Sequence, residues 1–120
     1  MACTCLGMAE LPKELREAVR QIVAHLAPEE RARLSADLAV AEVEPGNDVG
    51  SLFEFRLPGY LALNRNGQMP LPVEGKVRDA DGEMLDVVVY VDPNGHLFEL
   101  ELLRWSDGYV QGPDWRTFTI

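Results

Sequence analysis

The chain has 120 residues, of which 47% are hydrophobic and 26% charged, and its formal net charge is −9. This length and composition predict a single folded domain spanning residues 1–120 and argue against a disordered chain. The acidic excess is uneven, because residues 41–120 hold 14 of the 20 acidic residues and 6 of the 11 basic ones. Since phosphate recognition needs clustered Lys and Arg, this charge argues against binding nucleic acid and favours a basic partner.

The first ten residues, 1–10, read as a flexible tail. They lack the basic and apolar regions of a secretory leader, and no stretch of the chain approaches the roughly 20 apolar residues of a membrane span. Cys3 and Cys5 are too close for an ordinary disulfide, and no second Cys or His cluster completes a zinc site. We therefore predict a cytoplasmic protein without a metal or other cofactor, and without membrane attachment.

The helical part is predicted over residues 11–42. Apolar residues recur there at three- and four-residue spacing, which is typical of an amphipathic helix: Leu15, Ala18, Val19, Ile22, Val23 and Leu26. Pro28 signals the start of a second helix, with Leu34 and Leu38 on its buried side. Residues 39–44 fit the end of this helix and the start of a strand equally well.

The β part is predicted over residues 50–120, where apolar and polar residues alternate. Four pieces lie outside its central region: a strand at 51–57, a short extended piece at 60–63 before a tight turn at Asn66-Gly67, an edge or loop at 69–72, and a β-like end at 117–120. The strand at 51–57 or the C-terminal one is a candidate for pairing across a dimer, although the oligomeric state stays open.

Three strands joined by two tight turns are predicted between Pro72 and Trp105. At the first turn, Asp79–Glu83, the alternation allows a five-residue or a three-residue loop. The longer loop places Lys76 opposite Asp86, whereas the shorter one places Arg78 there.

The second turn is predicted as a four-residue loop, Asp92-Pro93-Asn94-Gly95, because Pro and Gly occupy positions that favour a tight turn. This loop sets the register of the two strands that it joins. The predicted pairs are Val91 with His96, Val89 with Phe98, Val87 with Leu100 and Asp86 with Glu101. The apolar residues then share one face, and Glu99 and Glu101 mark the other.

The helices come first and the strands follow, without an alternating βαβ pattern. This order predicts an α+β fold in which two N-terminal helices pack on an antiparallel β-meander of about four to six strands.

The candidate partner-binding residues lie on the polar face of the sheet and just beyond it: Asp86, Glu99, Glu101, Trp105 and Tyr109. One interpretation is a solvated face whose charges compensate one another. The other is a recognition surface for a basic protein, since aromatic anchors ringed by charge are typical of protein interfaces.

An enzyme is the less favoured alternative. The sequence contains no G-x-S-x-G motif, phosphate loop or H-E-x-x-H motif, so no catalytic residue is assigned. A small-molecule binder or small enzyme would need a pocket, which we would expect between the helices and the 58–72 loops, lined by Tyr60.

The stretch DGEMLDVVVYVDPNGHLFELELLRWSDG resembles small bacterial proteins of unknown function that end in a strand-turn-strand of the type D-x-x-G-x-L-x-E-L-E. The resemblance covers Val73 to about Trp115. Some of these proteins resemble immunity proteins encoded beside polymorphic toxins. The resemblance implies a binding module that covers a basic partner, and it brings no catalytic residues.

Overall fold

The computed structural model describes residues 9–61 and 67–120, with side chains from residue 11 onward. It contains two helices, α1 (Lys13–Val23) and α2 (Pro28–Val40). The strands are β1 (Ala9–Glu10), β2 (Glu42–Pro45), β3 (Leu52–Arg56), β4 (Met69–Pro70), β5 (Gly75–Arg78), β6 (Met84–Val91), β7 (Leu97–Arg104) and β8 (Asp114–Thr119).

Both helices form where the apolar stripes predict them. The buried residues of α1 are those of the predicted stripe, and Leu34 and Leu38 of α2 are buried as well. Pro28 occupies the first turn of α2, where its missing N–H costs no helical hydrogen bond. The ambiguous segment after α2 is a strand start, because the helix ends at Val40 and β2 begins at Glu42.

The strands form one antiparallel sheet in the order β1-β2-β3-β7-β6-β5-β8. β4 pairs with Tyr90 and Val91 at the end of β6, which β5 does not reach. The predicted α+β arrangement is confirmed, and six strands have four or more residues. In the described part of the chain β3 lies between β2 and β7, so it offers no open edge to a dimer, whereas β8 ends the sheet.

The core lies between the helices and one face of the sheet. Val19 and Ile22 of α1 pack in the same cluster as Val77, Val87 and Leu100 of the central strands, and all five side chains are fully buried. Burial of this kind supplies most of the stability of a small domain, at about 1.5–3 kcal/mol for each large apolar side chain. The opposite face of the sheet points away from the helices.

The first turn of the meander takes the longer of its two predicted forms. Arg78 pairs with Met84, and the Asp79 N–H donates to the carbonyl oxygen of Glu83 at 2.7 Å. The loop therefore has five residues, and Lys76 lies opposite Asp86.

The predicted register of the second hairpin is wrong, by one residue at Val91, which pairs with Leu97, and by two residues further from the turn. Val89 pairs with Leu100, and Val87 with Leu102, so the apolar residues still share a face. The Asp92 carboxylate accepts hydrogen bonds from the Asn94 and His96 N–H groups, which tightens the loop, and the register then shifts between the Val91 and Tyr90 pairs. This irregularity lies at Phe98, and it turns Leu97 into the core, where the side chain is 3% exposed.

The predicted flexible tail over residues 1–10 is wrong at its last two residues, because Ala9 and Glu10 pair with Val43 and Glu42 of β2. The rest of the predicted tail, with Cys3 and Cys5, lies outside the described residues. Residues 62 and 63 of the predicted extended piece at 60–63, and Asn66 of the predicted Asn-Gly turn, also lie outside the described residues. Neither described helix has the length and hydropathy that a membrane crossing requires.

Candidate functional site

The face of the sheet that points away from the helices is called the outer face here. In strands β2, β3, β6 and β7 its charged residues are six carboxylates and one guanidinium: Glu42, Glu44, Glu54, Asp86, Glu99, Glu101 and Arg56. Lys76 and Arg78 of β5 add positive charge at one side. The centre of the outer face therefore carries a strong negative field.

Three glutamates form a row across neighbouring strands of the outer face. Glu44 pairs with Glu54, and Glu54 pairs with Glu99. Directly opposed like charges destabilise a sheet. Arg56 offsets part of this repulsion, because its Nη2 lies 2.8 Å from Oε2 of Glu44 and 3.1 Å from Oε1 of Glu54. The row concentrates negative charge on partly exposed side chains, of which Glu44 is 24% and Glu54 15% exposed.

One of the two cross-strand neighbours predicted for Asp86 is wrong, and the other is confirmed. Leu103, rather than Glu101, lies opposite it on β7, because the register of the hairpin is shifted. On its other side Asp86 forms an ion pair with Lys76, as the five-residue loop predicts. Hydrogen bonds from Lys76 and then from Trp105 lower the pKa of Asp86, against the smaller opposing effect of burial. Asp86 is therefore an ionised and already paired carboxylate.

Glu101 lies opposite Val88, and its Oε1 accepts a hydrogen bond from the Tyr90 hydroxyl at 2.9 Å. Burial, followed by this hydrogen bond and the negative charge of Glu101, raises the pKa of Tyr90 to about 12. Glu99 lies opposite Tyr90 on the same face. The two predicted glutamates are thus adjacent on the outer face, with a phenol beside them.

The two predicted aromatic residues lie beyond the end of β7. Trp105 is 77% exposed, and its indole Nε1 donates to Oδ2 of Asp86 at 2.8 Å, which places it on the outer face as predicted. Tyr109 is 73% exposed and lines a shallow cavity of about 220 Å³ with Val49 and Leu103. An apolar and aromatic end therefore borders the acidic part of the face.

A polar cluster that sequence reasoning missed joins α2 to the tip of the second hairpin. The buried carboxylate of Asp37 accepts from Nδ1 of His96 at 3.0 Å and from the Leu97 N–H at 3.0 Å. The Tyr60 ring packs against His96 with ring centroids 4.6 Å apart, and its hydroxyl donates to Asp92. The sequence predicted only the Asp-Pro-Asn-Gly turn of this cluster. Asp37 and Tyr60 are remote from the turn in sequence, so their contacts with it could not be predicted.

A small cavity lies beside this cluster. It has a volume of about 160 Å³ and is lined by Phe55, Arg56, Leu57, Tyr60, Leu61, Leu97 and Phe98. Tyr60 and Leu61 of the 58–72 loops line this cavity, as predicted. The other lining residues lie on β3, on β7 or at Leu57, and no residue of either helix is among them. Within residues 9–61 and 67–120 no group of three or more His, Cys, Asp or Glu side chains is placed to hold a metal ion.

The chain matches the model of one known protein family. Residues 8–110 match a family model described as a domain of unknown function, DUF6984. The chain belongs to the DUF6984 family. The DUF6984 match covers both helices and strands β1–β7, and all five predicted partner-binding residues lie within it. No curated protein and no solved structure matches the chain.

Proposed function

We propose that this DUF6984 protein is a protein-binding module whose outer face binds a basic partner. The observation that carries the proposal is the row of Glu44, Glu54 and Glu99, which holds three carboxylates in register on adjacent strands. Neighbouring carboxylates favour cationic groups beside them, as the contacts of Arg56 with Glu44 and Glu54 illustrate, and a basic partner would bring further cations to this row.

The aromatic end of the outer face supports the same proposal. Tight interfaces combine a few buried aromatic anchors with polar groups around them, and exposed Trp and Tyr residues are the usual anchors. Here Trp105 is exposed beside Asp86, and Tyr109 is exposed four residues further along the chain. A partner that presents Lys or Arg beside an apolar side chain would match both parts of the face.

In its finer form the proposal is an immunity-type inhibitor in the bacterial cytoplasm, with a basic toxin as its partner. The segment from Val73 to about Trp115 resembles small bacterial proteins of unknown function, some of which are similar to immunity proteins, and this resemblance supports the finer form. An inhibitor of this kind would cover the basic active site of the toxin with its acidic face, and electrostatic steering would make association fast and salt-sensitive.

The test begins with capture of a partner from a lysate of the source organism at low salt, followed by its identification and purification. The dissociation constant is then measured over a range of salt concentrations for the wild type and for the double variant Glu99→Gln/Glu101→Gln. We expect a basic partner, affinity that falls as salt rises, and a loss of about tenfold in the variant.

A matched control removes two carboxylates elsewhere. Glu14→Gln/Glu29→Gln changes the net charge equally at exposed positions in the first turns of α1 and α2. We expect the control to bind nearly as well as the wild type. The proposal fails when no basic protein is captured, or when the outer-face variant binds as tightly as the control. Inhibition of the partner's own activity in the complex would support the immunity-type form, and full activity would overturn that form alone.

A small-molecule function is the second candidate, and the cavity beside Tyr60 favours it. Its volume of about 160 Å³ is below the roughly 300–1,000 Å³ of most ligand pockets, which is why it ranks second. Screening of small fragments by NMR tests it. Fragment-induced shifts of the Leu97 and Phe98 amides, lost on Tyr60→Ala, would support a binding site, and the absence of such shifts would exclude it.

A further inference from the structure

Trp105 combines high exposure with a fixed position. Its side chain is 77% exposed, yet its indole N–H donates to Oδ2 of Asp86 at 2.8 Å. Tyr109 is similarly exposed, but no described side chain accepts a hydrogen bond from its hydroxyl. An exposed indole that is already held in place loses less conformational freedom on binding than a mobile one, so it is the better anchor.

Both oxygens of the Asp86 carboxylate accept hydrogen bonds within the protein. Oδ1 accepts from the Lys76 ammonium, and Oδ2 accepts from Trp105. The carboxylate is only 15% exposed, and Lys76 already offsets its charge. We therefore expect Asp86 to contribute little direct charge attraction to a partner's cation, although it lies on the same face as the glutamates.

We infer that Asp86 is a positioning residue, which holds the Trp105 indole so that its exposed ring accepts a Lys or Arg side chain of the partner. This inference rests on the proposed function and specifies how the outer face recognises a basic partner. Cations bind over the faces of indole rings more strongly than over other aromatic rings. The glutamates supply the attractive field, and the fixed ring supplies the place where one cationic side chain stacks.

The first test needs no partner. In a Trp115→Phe background Trp105 is the only tryptophan, so time-resolved fluorescence anisotropy reports the mobility of its indole. Asp86→Ala removes the acceptor, whereas Asp86→Asn removes the charge and keeps an acceptor oxygen. We expect a more mobile indole in Asp86→Ala and near wild-type mobility in Asp86→Asn. Equal mobility in wild type and Asp86→Ala would overturn the inference and leave the proposed function untouched.

The second test uses a labelled oligoarginine peptide as the cationic probe. We expect Trp105→Ala and Asp86→Ala each to weaken binding about threefold to tenfold, with little further loss in the double variant, because both remove the same anchor. Asp86→Asn should keep most of the affinity. Asp114→Asn is the matched control, since Asp114 pairs with Arg116 on β8 and its loss changes the net charge equally.

The outcomes separate the inference from the proposed function. Equal weakening by Asp86→Asn and Asp86→Ala, with a shallower salt dependence, would make Asp86 a direct charge contact and overturn the positioning role. Binding that depends on Glu99 and Glu101 but not on Trp105 would also overturn the inference while the proposed function stands. Binding that depends on none of these residues would overturn both.

Discussion

Asp79 and Arg104 form an ion pair from which water is almost excluded. Nη1 of Arg104 lies 2.8 Å from Oδ2 of Asp79, and the two side chains are 8% and 0% exposed. The same carboxylate accepts from the N–H groups of Gln111 and Gly112, so it ties the first hairpin turn to the segment after β7. This segment carries Tyr109, so the pair anchors the stretch of chain on which Tyr109 lies.

Replacing Asp79 with Asn should destabilise the fold strongly. The neutral amide removes one of the two carboxylates that pair with Arg104, leaving Asp81 at 2.7 Å, and it turns an N–H group toward the buried backbone donors of Gln111 and Gly112. We therefore expect the free energy of unfolding to fall by about 2–3 kcal/mol. Urea denaturation followed by circular dichroism measures it. Asp107→Asn is the control, because its side chain is exposed, and it should change the value by less than about 0.5 kcal/mol. Equal effects of the two substitutions would refute the structural role of Asp79.

Gly75 of β5 lies against the Phe118 ring of β8. A Cβ at this position would overlap Cε1 and Cζ of Phe118 and lie 3.3 Å from the Thr119 carbonyl oxygen. The missing side chain of Gly75 thus leaves room for both the Phe118 ring and the backbone of β8.

The variant Gly75→Ala should therefore lower the free energy of unfolding by about 1–3 kcal/mol, since the ring must move out of its packed position. Thermal and urea denaturation check this. Gly112→Ala serves as the control, because a Cβ there meets nothing within 4 Å. The double variant Gly75→Ala/Phe118→Leu should recover part of the loss, and a double variant less stable than Gly75→Ala would contradict the assigned cause.

The sequence predicted the elements of the fold better than their register. Apolar stripes located α1 and α2, and alternation located β3, β6 and β7, because these periods depend on local geometry alone. Alternation also reduced the first turn to two loop lengths. The register predicted for the second hairpin was wrong because the Asp92 side chain tightens the loop. That contact leaves no periodic pattern in the sequence.

The candidate site was predicted only in part, for a similar reason. The side of β7 that carries Glu99, Glu101 and Trp105 follows from alternation. The glutamate row exists because β2, β3 and β7 are adjacent in the sheet. The sequence does not reveal this strand order, so the row could not be predicted. The Asp37–His96 contact joins residues 59 positions apart, so no local pattern announces it.

Asp37 should matter more to stability than the His96 side chain that it binds. Asp37→Ala leaves the Leu97 N–H without its acceptor in a buried position, and we expect a loss of about 2 kcal/mol. The His96 ring is partly exposed, so His96→Ala should cost less than about 1 kcal/mol. Denaturation of both variants gives these values, and faster hydrogen exchange of the Leu97 amide in Asp37→Ala alone identifies the cause. A larger cost for His96→Ala would contradict this assignment.

Tyr90 should ionise late, and its ionisation should destabilise the fold at high pH. Its pKa is raised from an ordinary 10.0 to about 12, first by burial and then by the hydrogen bond to Glu101. Because the native state favours the neutral phenol, the resulting stability is fully present below pH 10 and is lost as pH rises toward about 12.

The phenolate absorbance of wild type minus that of Tyr90→Phe isolates this titration from those of the other tyrosines. We expect a midpoint near 12 in the wild type and a lower one in Glu101→Gln, where burial remains but the adjacent negative charge is gone. Glu14→Gln, on the far side of the molecule in α1, should leave the midpoint unchanged. A wild-type midpoint near 10 would mean that the Tyr90 hydroxyl is in contact with water and does not donate to Glu101. The outer face would then lack the fixed pair of phenol and carboxylate that borders its glutamate row.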